Sequence, residues 1–127
     1  MFILNNSEAT KQVTLIAGAG GVTLGDLVVM TAGKVLPAAT GDTTIVGVAQ
    51  ESAIADAEVS VEILENNTLE ADYTGTLAAT DIGTAYDLSD AQTVDTTAEV
   101  NGDLILVGFN ADVNKGKFIV AAASRLL

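Results

Sequence analysis

Acid–base and nucleophilic chemistry have few side chains to draw on in this chain. It contains neither His nor Cys, which removes the usual general base near neutral pH and the usual thiol nucleophile. Its serines, Ser7, Ser52, Ser60, Ser89 and Ser124, all stand outside any Gly-x-Ser-x-Gly elbow. Paired carboxylates can carry acid–base work on sugars. With 17 Asp and Glu residues, however, chance pairs are inevitable, and Glu58 and Glu62 sit on the outward positions of an alternating segment. No catalytic residue is assigned, and the chain reads as a non-enzyme.

Two further motifs invite a ligand. Gly18-Ala19-Gly20-Gly21 has the glycine density of a dinucleotide loop, but Thr23 stands where the third glycine belongs. The segment after it is too short and strand-like to cap a phosphate. Asn110-x-Asp112-x-Asn114 has the opening spacing of a calcium loop. Lys115 and Ala121 then occupy the sixth and twelfth positions, where that loop needs glycine and a bidentate Glu. Both stretches read as turns between strands, and no metal or cofactor is expected.

The elements that carry these residues follow from composition. Hydrophobic residues make up 49% of the chain but aromatic ones only 4%, so the core is built from Val, Ile, Leu and Ala. β-branched residues punctuated by glycine at short spacing describe strands and turns. A length of 127 residues supports one domain, large enough to bury a core without disulfides. With 5 basic residues and a net charge of -12, the chain has no basic patch for phosphates or an anionic membrane. Nucleic acid and membrane are therefore excluded as partners. The start lacks the positive lead and long apolar run of a signal peptide, and a soluble chain is expected.

Strands are predicted at Val13–Ala17, Leu27–Met30, Lys34–Leu36, Ile45–Ala49, Glu58–Ile63, Leu69–Tyr73, Leu104–Phe109 and Lys117–Ala121. Weaker ones are predicted near Tyr86–Leu88 and Thr93–Asp95. Glu58–Ile63 alternates strictly, placing Val59, Val61 and Ile63 on one face and Glu58, Ser60 and Glu62 on the other. With the turn Glu65-Asn66-Asn67 and the alternation of Leu69–Tyr73, it reads as a hairpin. Thr76–Ile82 supplies a helical turn ended by Gly83. Ile45–Ala49 and Leu104–Phe109 are apolar on both faces, which fits either a sandwich centre or a subunit interface. Residues 1–12 form an arm with an apolar tip, Phe2-Ile3-Leu4. The arm reads as a frayed terminus or as a strand added to a partner's sheet. The expected fold is all-β: a small sandwich or barrel of about eight short strands over 13–127, with an extended N-terminal arm.

Gly25-Asp26-Leu27-Val28, Gly33-Lys34-Val35-Leu36-Pro37-Ala38 and Thr44-Ile45-Val46-Gly47-Val48-Ala49 together resemble the N-terminal half of phage capsid cement, or head-decoration, proteins. Tyr73-Thr74-Gly75, Ile82–Leu88 and Lys115–Val120 follow in the order of that family, so the resemblance spans roughly residues 13 to 125. It implies a structural protein on the outer surface of a phage head, made in the host cytoplasm. The implied partners are the major capsid protein and further copies of the chain in a homotrimer. The arm would pair with a capsid-protein strand, making Phe2, Ile3, Leu4 and Asn5 the expected contact residues. Other virion modules, such as a head-fibre base or a tail-associated domain, are the alternative. A carbohydrate-binding sandwich is disfavoured, since Trp is absent and Tyr occurs only at 73 and 86.

Overall fold

The computed structural model describes residues 1–5, 11–65 and 67–126; within them it is all-β, with 3-10 turns at Ala79–Asp81 and Ala122–Ser124. The described strands are β1 (Ile3–Asn5), β2 (Lys11–Ile16), β3 (Leu27–Thr31), β4 (Lys34–Pro37), β5 (Ile45–Ala49) and β6 (Glu58–Ile63). They continue as β7 (Thr68–Thr74), β8 (Ala85–Asp90), β9 (Thr93–Asp95), β10 (Leu104–Asn110) and β11 (Lys115–Val120). The count exceeds the expected eight or so because the two weaker predictions, near Tyr86–Leu88 and at Thr93–Asp95, are the strands β8 and β9, and because β1 lies in the segment read as an arm.

One sheet runs β1-β7-β11-β10-β8-β9, and β9 also pairs with β7, so that β7, β11, β10, β8 and β9 close into a barrel. β7 serves three neighbours because one of its edges is divided. Thr68, Leu69 and Glu70 pair with β1, while Asp72, Tyr73 and Thr74 pair with β9. The second sheet runs β2-β6-β5-β3-β4. Its outer strands meet at one end, where Ala17 bridges Val35 and the Gly18 N–H donates to the Val35 carbonyl at 2.8 Å.

Two apolar cores result. The larger joins Phe2, Leu27, Val29, Ile45 and Val48 to the barrel interior, which includes Leu69, Leu104, Leu106 and Phe118. The smaller lies inside the second sheet, around Val28, Val35, Val46, Val59 and Val61. β3 and β5 are the wall between them, and every residue of Ile45–Ala49 is buried. The two-sided apolar run is thus covered by the chain itself and does not need a subunit interface. Leu104–Phe109 differs: Leu104 and Leu106 are buried, but Val107 is exposed and Ile105 and Phe109 are half-buried.

Two expectations are corrected. Glu58–Ile63 and Leu69–Tyr73 are strands with the predicted faces, yet they do not form a hairpin: β6 pairs with β2 and β5, and β7 with β1, β11 and β9. Alternation fixes which face a residue shows, not which strand lies beside it. The chain crosses between sheets where the Leu64 N–H donates to the Val46 carbonyl (2.8 Å) and Asn67 Oδ1 accepts the Glu65 N–H (2.8 Å). Asn66, part of the predicted turn, lies outside the described residues.

The second correction is the arm. Phe2 is only 1% exposed in the larger core, its N–H donates to the Gly25 carbonyl at 2.9 Å, and Ile3–Asn5 is a strand of the first sheet. β2 also begins at Lys11, ahead of the expected boundary. An aromatic side chain that can be buried within its own domain gains about 1.5–3 kcal/mol there, without a partner. Residues 6–10, the rest of the expected arm, lie outside the described residues.

Candidate interaction face

Register decides what the closed barrel shows to solvent, because directly paired residues point to the same side of a sheet. Along β11, Gly116, Phe118 and Val120 are buried, which turns Lys115, Lys117 and Ile119 outward. Along β7, Leu69, Ala71 and Tyr73 are buried, which turns Glu70 and Asp72 outward. The ladder then sets Lys117 opposite Glu70 and Lys115 opposite Asp72. On β10, Ile105 lies opposite Ile119, and a bulge between Leu106 and Gly108 leaves Val107 as the extra residue, 40% exposed. On the far side Ile3, 49% exposed, pairs with Glu70.

The result is a sheet face with a row of cations on β11, a row of anions on β7 and aliphatic side chains on both flanks. A groove of about 540 Å³ runs across it beside the bulge, lined by Glu70, Val107, Phe109, Val113 and Lys117. Gly108 forms its floor, and a Cβ placed there would meet nothing within 4 Å.

The ion pairs anchor one end of this face. Lys115 Nζ donates to Asp72 Oδ1 at 2.5 Å, and the α-ammonium of Met1 lies 3.5 Å from Asp72 Oδ2 and donates to the Gln92 carbonyl at 3.1 Å. The Lys115 hydrogen bond, with the Coulombic pull of Lys115 and the N-terminus, holds the Asp72 carboxyl below the usual carboxylate range against a smaller desolvation effect. Lys117, exposed, makes no ion pair with any described residue.

The expected contact residues divide. Phe2 is buried and Leu4 packs partly buried against the larger core, so neither presents its side chain as an open tip. Ile3 does reach the outer face, and the backbone of Asn5 pairs with Thr68. Sequence reasoning missed the two carboxylates that matter most for architecture. Asp103, fully buried, accepts the Leu88 N–H (3.1 Å), the Gly41 N–H (3.2 Å) and the hydroxyls of Thr40 (3.3 Å) and Ser124 (3.3 Å). Asp87 accepts the N–H groups of Asn101 and Gly102, both at 2.7 Å. Asp103, a turn Asp before an apolar run, and Asp87, an acid within a short strand, both read from sequence as solvent-exposed, and no local signal marks them as buried.

Gly18–Gly21 is a turn in which the Gly21 N–H donates to the Gly18 carbonyl (3.0 Å), and Asn110–Asn114 turns β10 into β11, with Asn110 Oδ1 accepting the Asp112 N–H (3.0 Å). Among the described residues no three His, Cys, Asp or Glu side chains gather as a metal site, and no helix is long and apolar enough to cross a membrane. No protein-family model and no curated protein matches the chain.

Proposed function

We propose that the chain is a structural virion protein, a cement protein that binds the outer surface of a phage head and clamps neighbouring major capsid proteins. The observation that supports this best is the outer face of the barrel: a sheet surface with exposed aliphatics and paired charges. The segments that carry the family resemblance support it from a second side. Leu27–Val28, Lys34–Pro37 and Ile45–Ala49 fall within β3, β4 and β5. In this reading the protein is made in the host cytoplasm, sits outside the capsid and acts as a homotrimer. Ile3 and its neighbours on the barrel face, not a free tip at Phe2, contribute to contacts.

Incubation with expanded, undecorated heads of the phage that encodes it tests the reading. Saturable co-sedimentation in a fixed ratio to the major capsid protein is expected. Failure to sediment with heads at any concentration would remove the proposal.

A further inference from the structure

The loop between β9 and β10 carries the one Asn–Gly pair in the sequence, Asn101-Gly102. That dipeptide has a reaction of its own. The Gly nitrogen gives up its proton to base, attacks the Asn Cγ and closes a five-membered succinimide, while the side-chain nitrogen leaves as ammonia. Water then opens the ring at either carbonyl and leaves aspartate or isoaspartate. Glycine favours the attack because no side chain hinders its nitrogen. Here the fold also requires glycine: Gly102 sits at φ +59°, and a Cβ there would come within 3.1 Å of the Ala85 Cβ.

Both reacting groups are held. The Gly102 N–H donates to Asp87 Oδ1 at 2.7 Å, and the same oxygen accepts the Asn101 N–H at 2.7 Å. Asp87 is buried, and its own N–H donates to the Ala98 carbonyl at 2.9 Å, which pins the loop a second time. Taking the proton from Gly102 would set an amide anion 2.7 Å from a carboxylate, and like charges oppose that step. The carboxamide is tied as well: Asn101 Nδ2 donates to Thr40 Oγ1 at 3.2 Å, and Oδ1 packs over Gly41. Asn101 is nonetheless exposed, so the water that completes the reaction reaches it.

We propose that Asn101 is a self-modification site, which Asp87 keeps closed while the domain is folded. It opens when the 96–103 loop leaves Asp87, in the unfolded chain or by local opening. The product suits the native loop less well. An aspartate at 101 has no N–H to give Thr40 Oγ1 and adds charge beside Asp87. Isoaspartate adds one main-chain atom between the two N–H groups that Asp87 holds. Conversion therefore marks chains that have been open and opposes their return. The inference rests on this loop alone and not on the proposed function.

Peptide mapping by mass spectrometry tests it on the full chain, incubated in mildly alkaline buffer with and without concentrated urea. Conversion at Asn101 is expected to be at least about tenfold slower in the folded domain than in urea. Asp87→Asn, which keeps an acceptor but removes the charge, should convert about tenfold faster than wild type when both are folded. Gly47→Ala, destabilised far from this loop, is the control and should convert as wild type does. Amide hydrogen exchange at Gly102 needs no variant and passes through the same loss of the proton, so wild type should show strong protection there. Equal conversion in folded and unfolded wild type would overturn the proposal, as would an unprotected Gly102 N–H. So would a folded Asp87→Asn that converts no faster than wild type or than Gly47→Ala.

Discussion

The aromatic side chain of Phe2 helps tie the first strand to the domain. Phe2 is buried in the larger core while the adjacent Ile3 is half exposed on the barrel face. Phe2→Ala should therefore cost about 3–5 kcal/mol of unfolding free energy, whereas Ile3→Ala should stay within roughly 0.5 kcal/mol; urea titrations of both decide the point. Asp103 is the second test at this scale. Asp103→Ala strands the buried Leu88 N–H and the other donors it serves, and each orphaned buried donor costs about 1–3 kcal/mol. Asp72 makes a prediction about pH. Its carboxyl is held low chiefly by Lys115, so the folded-state value lies below the unfolded one. The stability it contributes is present above the unfolded value and is lost as pH falls through the folded one. Both partners of this pair are about half exposed, which limits the contribution to about 1 kcal/mol or less. Asp72→Asn should be slightly less stable than wild type at pH 7 and indistinguishable from it in acid.

At the scale of elements, β5 and β10 show how the same kind of sequence acquires different surroundings. Both are apolar runs with a central glycine. A Cβ on Gly47 would lie 2.2 Å from the Glu62 carbonyl oxygen, whereas one on Gly108 meets open space. Gly47→Ala should thus be destabilising by about 1–3 kcal/mol through the backbone shift it forces, and Gly108→Ala nearly neutral; paired thermal melts separate them. Individual strands were legible in the sequence because alternation and glycine punctuation are local: Val59 and Val61 face inward as their spacing requires. The partners were not legible. Nothing in Glu58–Tyr73 records that β6 and β7 belong to different sheets, since pairing is decided by long-range packing. The same limit hid the first strand. Phe2-Ile3-Leu4 looks like a loose tip until the edge of β7 and the pocket beside Gly25 are in place. The interaction face was legible only in part: Lys117 and Glu70 are 47 positions apart and become a pair through the β7–β11 ladder.

The whole molecule is two packed β units that share one wall, under an acidic coat of 17 Asp and Glu against 5 Lys and Arg. That coat opposes compaction and association alike, and salt screens it. Moderate salt should therefore raise the melting temperature, and a melt series across ionic strength reads the effect directly. The same coat offers little to a phosphate backbone. In the proposed function, this chain works by occupying a surface on a phage head. The most direct measurement is a cryo-electron microscopy reconstruction of expanded heads after incubation with the purified protein. The account predicts added density on the outer surface, repeated at equivalent lattice positions and bridging neighbouring capsid subunits, into which the two-unit fold fits. Heads that remain bare at saturating protein would contradict it.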